Sequence, residues 1–522
     1  MLIKRKLRSG KLLSLTVAGL LCGAAAPPAP FDLLIVGGEL IDGTGAGAVR
    51  ADIGVKGDRI VFVGNAAVAN VQADRRIDAS GKLVTPGFID PHTHSGGDLA
   101  AKDPGRRAAL NHVMQGVTTV LVGNDGGGAI DPAPARDTGV NVARFVGFGP
   151  VRRAVIGDAD RDPSPDELAQ MRGLVATAMC EGAIGFSTGL YYAPQSFAKT
   201  GEVVALAREA ALRGGIYDTH LREEGSGGIG LAASVDEAIA VGRGAGLPVH
   251  IAHIKALGAD VHGQAPSIIA KIDAARASGL RVTADQYPWA ASGTRLTSAL
   301  VPGWAMDGGR DALRARLDDP KLAVGMEENL RRRGGAGAVL ISGGKHKGKR
   351  LDALAAEWNV DPVAAAIRVI REDGNAPIAS FNMAEADIHM FAAQSWVMAS
   401  SDASSGHPRR YGSFAERWQR FVRDAKVVTP AAFVQRATML TASTFGLEGR
   451  GVIREGNYAD IAVIDPARFT ARATYEKPTE LATGADFVLV NGALVVADGQ
   501  PTGALPGRHL AKPRDPSWSC PE

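Results

Sequence analysis

The chain has 522 residues, 45% hydrophobic and 22% charged, with 58 Lys and Arg against 55 Asp and Glu. That is the make-up of a globular protein with a sizeable core, long enough for one large domain and a smaller one. It excludes a collagen-like or low-complexity chain, and a total of 3 Cys excludes a disulfide scaffold.

The first segment reads as an export signal rather than as fold. Lys4, Arg5, Lys6, Arg8 and Lys11 form a basic head, Leu12 to Leu21 an apolar run, and Gly23 to Ala26 a small-residue stretch. The run is too short to span a membrane, and cleavage after Ala25 fits the small-residue rule. Cys22 raises a lipid anchor, but bulky Leu21 precedes it where a lipobox takes a small residue, so plain export without a stable membrane anchor is expected. Without residues 1–25 the chain loses five basic side chains and no acidic ones, so the formal charge falls from +3 to −2. No basic field remains that argues for nucleic acid. The expected location is periplasmic or secreted. There Cys180 and Cys520 are free to pair, though sequence does not place them within reach.

From Phe31 to about Ala79, β-branched residues alternate with turn signals such as Gly37-Gly38 and Gly57-Asp58. The other end repeats the pattern, with Asp460–Asp465, Phe487–Val490 and Asn491-Gly492 before Leu494-Val-Val. Both ends read as short antiparallel strands of one β-sandwich, residues 26–82 supplying one part and residues 448–522 the other. Between them, residues 83–447 alternate apolar strands with amphipathic helices such as Val204–Arg213 and Val235–Arg243. Eight strands are expected: Leu83–Asp90, Val117–Asn124, Arg144–Phe148, Ala183–Ser187, Gly215–His220, Val249–Ile254, Arg281–Gln286 and Trp396–Ser401. Alternation of this kind implies parallel βα units, and eight imply a closed (β/α)8 TIM-like barrel. The long connection of about 290–395, with strand-like Ala338–Ser342 and helical Pro362–Arg371, reads as an excursion over the barrel mouth. Its basic runs Arg331–Arg333 and Lys345–Arg350 read as solvated loop rather than as a clamp for acidic substrates.

Polar residues fall where such a barrel does chemistry. His92 and His94 follow strand one, Asp125 strand two, His220 strand five, His253 strand six and Asp402 strand eight, all at C-terminal strand ends. In an extended His-X-His, both imidazoles point to one side. Four of only 11 His at this rim, with carboxylates beside them, point to one or two divalent metal ions, zinc foremost. Lys255, two residues beyond His253, is aimed at the mouth by the same period.

Gly87-Phe-Ile-Asp-Pro-His-Thr-His94 resembles the first-strand motif of the amidohydrolase superfamily. Gly185–Pro194, Tyr217–Gly225, His250-Ile-Ala-His-Ile-Lys255, Asp285-Gln-Tyr-Pro288, Ser401-Asp402 and His407-Pro-Arg409 narrow the resemblance to the N-acyl-D-amino-acid deacylase (D-aminoacylase) family, over essentially the whole mature chain. The resemblance implies metal-dependent hydrolysis of N-acyl-D-amino acids. It implies zinc held tightly by His220 and His253, a second site at His92 and His94, and Asp402 as the catalytic carboxylate. It also implies Arg409 on the substrate α-carboxylate, with Lys255 and Tyr287 helping to bind it. The family serine aligns with Gly293, for which Ser292 or Thr294 could substitute. One departure stands out: the family carries Cys where this chain has Asp125, which is then the candidate bridging ligand. Strand four ends Ser187-Thr188-Gly189, with no Lys for a carboxylated bridge.

The chemistry expected is amide hydrolysis with Asp402 as general base and then acid, and Arg409 as a bidentate carboxylate fork. The partner is a small N-acyl amino acid or short peptide. A peptidase of the same fold acting on D-residue-containing dipeptides is the nearest rival. A cyclic amidase would want the strand-four Lys, and a metal-poor binding protein stands furthest off.

Overall fold

A computed structural model describes residues 31–131 and 136–521. The expected export segment lies outside the described residues. Two sheets built from the chain ends pack face to face. The four-stranded sheet runs in the order Arg59–Gly64, Asp52–Lys56, Phe31–Val36, Ala73–Asp78. The seven-stranded sheet joins both ends of the chain, because Ile461–Ile464 pairs antiparallel with Leu83–Pro86. All four residues of Ile461–Ile464 are buried. Successive side chains point to opposite faces, so Ile461 and Val463 enter the core between the two sheets with Leu33, Ile53 and Ile77. Ala462 and Ile464 face the barrel with Phe88 and Phe433. A strand apolar on both faces is what a sheet clamped between a sandwich partner and a barrel requires.

The barrel strands are Phe88–Asp90, Val117–Val122, Asn141–Arg144 continued by Val146–Gly147, Gly185–Gly189, Ile216–His220, Val249–Ile251, Val282–Gln286 and Val397–Ala399. Every ladder between them is parallel. Strand three breaks at Phe145, its first half pairing with strand two and its second with strand four. Strands eight and one close the ring through backbone N–H groups: Asp402 donates to His92 O at 2.8 Å and Ser401 to Asp90 Oδ1 at 3.0 Å. The fold is a (β/α)8 barrel carrying a β-sandwich.

Several expected strands are shorter than the sequence suggested, strand two among them, which ends at Val122. Leu83–Asp90 divides at Gly87: Leu83–Pro86 lies in the sandwich sheet and Phe88–Asp90 in the barrel. A Cβ on Gly87 would stand 2.2 Å from Thr118, so the corner needs glycine. Strands six and eight end at Ile251 and Ala399, because the residues that follow turn into the mouth instead of continuing the ladder.

The excursion forms its own antiparallel sheet, Ala291–Arg295, Pro377–Phe381 and Val339–Ile341 in that order. It has its own core, including Leu300, Leu322, Met326 and Val369. Helix Glu385–Ala393 then packs against helix Ala265–Ala277 and strand eight, so the excursion ends near Phe381 and earlier than residue 395. Cys180 and Cys520 are joined by a disulfide across a Cα–Cα distance of 6.0 Å, which ties the C-terminal tail to the end of helix Pro165–Cys180. Among the described residues, no helix is long and apolar enough to cross a membrane.

Candidate metal centre

The six rim residues converge in the barrel mouth; His94, Asp125, His220, His253 and Asp402 line a cavity of about 1670 Å³, and His92 lies buried just behind Asp125 and Asp402. His92 Nε2 lies 3.5 Å from Asp125 Oδ1 and 3.7 Å from Asp402 Oδ1. His94 Nε2 lies 3.3 Å from Asp125 Oδ2 and 3.2 Å from Asp402 Oδ1. On the other side, His253 Nε2 stands 3.3 Å from Asp125 Oδ1 and His220 Nδ1 3.7 Å from the same oxygen. Among the described residues, two groups could therefore hold an ion, and they share one member. His92, His94, Asp125 and Asp402 form one; Asp125, His220 and His253 form the other.

The convergence is reached by turns rather than by strands. Asp125, His253 and Asp402 have φ of +55°, +35° and +42°, a region costly for residues with a side chain, at about 1–3 kcal/mol each. The surroundings hold these turns in place. Gly126 N donates to Ser187 Oγ at 3.0 Å, and Ser187 Oγ donates to Asp218 at 2.9 Å. Gln195 Nε2 donates to the Asp125 carbonyl at 3.1 Å while Gln195 Oε1 accepts from Gly189 N at 2.7 Å. A Cβ on Gly189 would fall 2.3 Å from the Asp125 carbonyl oxygen, so the approach of that turn requires glycine. Asp285 accepts from His253 N at 3.1 Å and from His250 Nε2 at 2.9 Å, and takes the Ser400 hydroxyl. Asp90 accepts from His92 N at 3.2 Å.

The donor set fits a divalent cation. Neither ring nitrogen of buried His92 has a hydrogen-bond partner, nor has Asp125 Oδ1. Orphaned buried polar atoms are costly unless a further group completes them. Imidazole and carboxylate together suit zinc and neighbouring divalent metals. Electrostatics agree. Burial alone favours neutral Asp125, yet His92, His253 and His220 hold its carboxyl well below the usual range. Burial likewise opposes a charged His94 and His253, but the surrounding carboxylates outweigh it. His94 is raised to about 9 by Asp125 and Asp402. His253 is raised to about 10 by Asp125, Glu224 and Asp402, against burial and the Lys255 ammonium. Such a surplus of negative charge is what a cation would neutralise.

The expected substrate-side residues border the same cavity. Arg409 Nη1 lies 2.9 Å from Asp402 Oδ2, and Nη2 donates to Gly293 O at 3.2 Å and Ser404 Oγ at 2.8 Å. The Arg409 guanidinium covers the Tyr287 ring at 4.4 Å, and the Tyr287 hydroxyl has no hydrogen-bond partner. A Cβ on Gly293 would meet Ser404 Oγ at 3.0 Å and Arg409 Nη2 at 3.1 Å. The nearby Ser404 hydroxyl is thus already in contact with Arg409, whereas Ser292 Oγ turns away to Asn382. Lys255 lies beyond strand six, so the period-two argument does not apply to it. It reaches the centre because its ammonium donates to His253 O at 2.8 Å and stands 2.7 Å from His253 Nδ1. It also pairs with Glu224.

Glu224, Asp285 and Asp90 are the site residues that sequence reading passed over. Each lies inside a motif that carried the resemblance, and each is an acid on a stretch otherwise destined for the interior. A buried carboxylate needs a partner, and that was the available signal.

The profile of the Amidohydrolase family matches residues 75–302 and 331–501. The chain is 35% identical over 516 residues to a D-aminoacylase of Alcaligenes xylosoxydans xylosoxydans, covering 92% of this chain and 98% of that one. It superposes with a TM-score of 0.79 and 32% identity on an N-acyl-D-glutamate deacylase from Bordetella bronchiseptica, solved with zinc and a phosphonate mimic of the tetrahedral intermediate. That match covers 92% of this chain and 100% of the other. A D-aminoacylase solved in a study of its binuclear metal centre gives a TM-score of 0.78 at 33% identity, again over 92% and 100% of the two chains. The chain belongs to the amidohydrolase family.

Proposed function

We propose that this protein hydrolyses the amide bond of N-acyl-D-amino acids, releasing a carboxylate and a D-amino acid, with one or two divalent ions at the barrel mouth. The observation that carries the reading is the sharing of Asp125 between two ligand groups, with Asp402 and Arg409 paired at their edge. It is supported by relatives that are a D-aminoacylase and an N-acyl-D-glutamate deacylase, each similar along nearly its whole length.

His220, His253, His92, His94 and Asp125 would hold the metal. A zinc ion bound there supplies Lewis acidity, lowering the pKa of water toward ~7 and polarising a carbonyl. The protein's own groups do the rest. Burial favours the neutral acid, but Arg409, paired with Asp402, holds its carboxyl far below the usual range, so Asp402 stands ionised beside the attacking water. It takes a proton from the attacking water and passes it to the departing amine. Arg409 borders the cavity and its Nε has no hydrogen-bond partner, and a guanidinium matches a carboxylate in a planar fork. Lys255 and Tyr287 complete the wall on that side. Preference for the D-form rests on the relatives.

We also propose export to an oxidising compartment. The basic-apolar-small order of residues 1–25 supports it, as does the Cys180–Cys520 disulfide.

The test is turnover of N-acetyl-D-methionine and N-acetyl-L-methionine by zinc-reconstituted protein, with a D-residue-containing dipeptide alongside. Release of acetate from the D-form at least tenfold faster than from the other two supports the reading. Preference for the dipeptide would make the protein a peptidase.

A further inference from the structure

Three consecutive arginines close helix Pro320–Arg332 in the excursion, and the structure treats them differently. Arg331 and Arg332 both pair with Glu328, at 3.0 Å each, which is the solvated arrangement expected of a basic run. Arg333 turns inward and is only 6% exposed. Its Nε donates to Ala299 O at 3.1 Å and its Nη2 to the Tyr191 hydroxyl at 2.9 Å. Its Nη1 is buried with no hydrogen-bond partner. Glu223 contributes to its electrostatics without a hydrogen bond to it, and Glu223 Oε1 accepts from Glu224 N at 3.1 Å and Gly225 N at 2.8 Å.

Arg333 lines the same cavity as the metal ligands. Tyr191, which it holds, packs its ring 5.7 Å from that of His220. Position in the barrel then separates the two buried guanidinium groups. Arg409 follows strand eight and pairs with Asp402. Tyr191 follows strand four, Gly185–Gly189. In a ring of eight strands, the fourth and the eighth face each other across the mouth. The scissile amide, placed over the centre with its α-carboxylate at Arg409, would direct its acyl group toward Tyr191 and Arg333.

We propose that Arg333 recognises a second carboxylate of the substrate, carried on the acyl group, so that the preferred substrates are N-acyl-D-amino acids with a dicarboxylic acyl chain such as succinyl. The unpartnered Nη1 of this desolvated guanidinium gains a charge-assisted hydrogen bond from such a group and is left unsatisfied without it.

This rests on the deacylase reading, and the experiment separates the two. The kcat/KM of zinc-reconstituted wild type is measured on N-acetyl-D-methionine, N-succinyl-D-methionine and N-acetyl-D-glutamate, then repeated with Arg333→Gln and Arg333→Lys. The expected result is a preference of about tenfold or more for the succinyl over the acetyl substrate in wild type. That ratio should fall toward one in Arg333→Gln and be partly kept in Arg333→Lys. A wild-type ratio at or below one overturns the proposal whether or not the variants fold. An unchanged ratio in a folded Arg333→Gln variant also overturns it. A preference for N-acetyl-D-glutamate that Arg333→Gln abolishes would move the second carboxylate to the amino-acid side chain and overturn the acyl assignment. No turnover of any of the three substrates would instead contradict the deacylase reading.

Discussion

His220 Nδ1 and His253 Nε2 stand 2.8 Å apart, ring nitrogen facing ring nitrogen at the ends of two neighbouring barrel strands. Two imidazoles at this distance share one hydrogen. Burial lowers His220, whereas Asp125, Glu224 and Asp402 raise His253 to about 10 against burial and Lys255, so the two rings differ in their hold on a proton.

A consequence for metal uptake follows from the sign of these shifts. A metal takes the neutral imidazole, so each raised histidine must give up its proton first. Below its raised pKa the histidine is protonated and competes with the metal; as pH rises, competition fades and affinity grows. With His94 at about 9 and His253 at about 10, zinc affinity should rise roughly tenfold per pH unit for each ion between pH 6 and 8. Calorimetry in buffers of different ionisation enthalpy should show about one proton released per ion. Affinity independent of pH over this range would contradict the assignment.

Asp125 belongs to both ligand groups, so its loss should damage both. Asp125→Ala is expected to carry less than half the wild-type zinc by elemental analysis and to lose more than about 100-fold in kcat. Asp125→Cys, which supplies a softer ligand at the same place, should recover metal binding. Full zinc content in Asp125→Ala would reduce this residue to a turn former.

Arg409→Lys keeps a positive charge but loses the planar fork. KM for N-acetyl-D-methionine should rise about tenfold or more, with a smaller change in kcat. A fall in kcat at unchanged KM would mean that Arg409 acts mainly through Asp402, its partner at 2.9 Å.

The disulfide offers a test of the tail. Cys180 and Cys520 are separated by 340 residues of sequence, and such a cross-link contributes about 2–4 kcal/mol by restricting the unfolded chain. For a chain of this size, Cys520→Ser should lower Tm by about 2–4 °C, with turnover nearly unchanged. The pair lies at the end of helix Pro165–Cys180, away from the residues that line the cavity. A Tm within error of wild type would show that the cross-link adds nothing.

Much of this arrangement was legible in the sequence, and the limits have physical reasons. Strand order and the joining of the chain ends follow from apolar periodicity, as Ile461–Ile464 illustrates with its two buried faces. What periodicity misplaces is the path after the strand ends. His253 was read inside strand six and Lys255 on its alternation, yet both lie past the ladder that ends at Ile251, and Asp125, His253 and Asp402 all turn with positive φ. Left-handed turns at Asp and His leave no signature in a hydropathy pattern. Partners distant in sequence were equally hidden: Glu224 against Lys255, Asp285 beneath His253, and Arg333 turned inward from a run of three arginines. A run of like charges reads as surface because the average member is solvated, and only tertiary packing singles out the exception.

The central claim is that five side chains, His92, His94, Asp125, His220 and His253, hold a divalent cation beside Asp402 at one barrel mouth. Anomalous diffraction at the zinc edge, from crystals of the reconstituted protein, tests it most directly. The expected result is a peak about 2.0–2.2 Å from His220, His253 and an Asp125 oxygen, with a second peak, where present, between Asp125 and His92-His94. A zinc-loaded crystal with no peak in the barrel mouth, or with its ion bound elsewhere, would contradict the account.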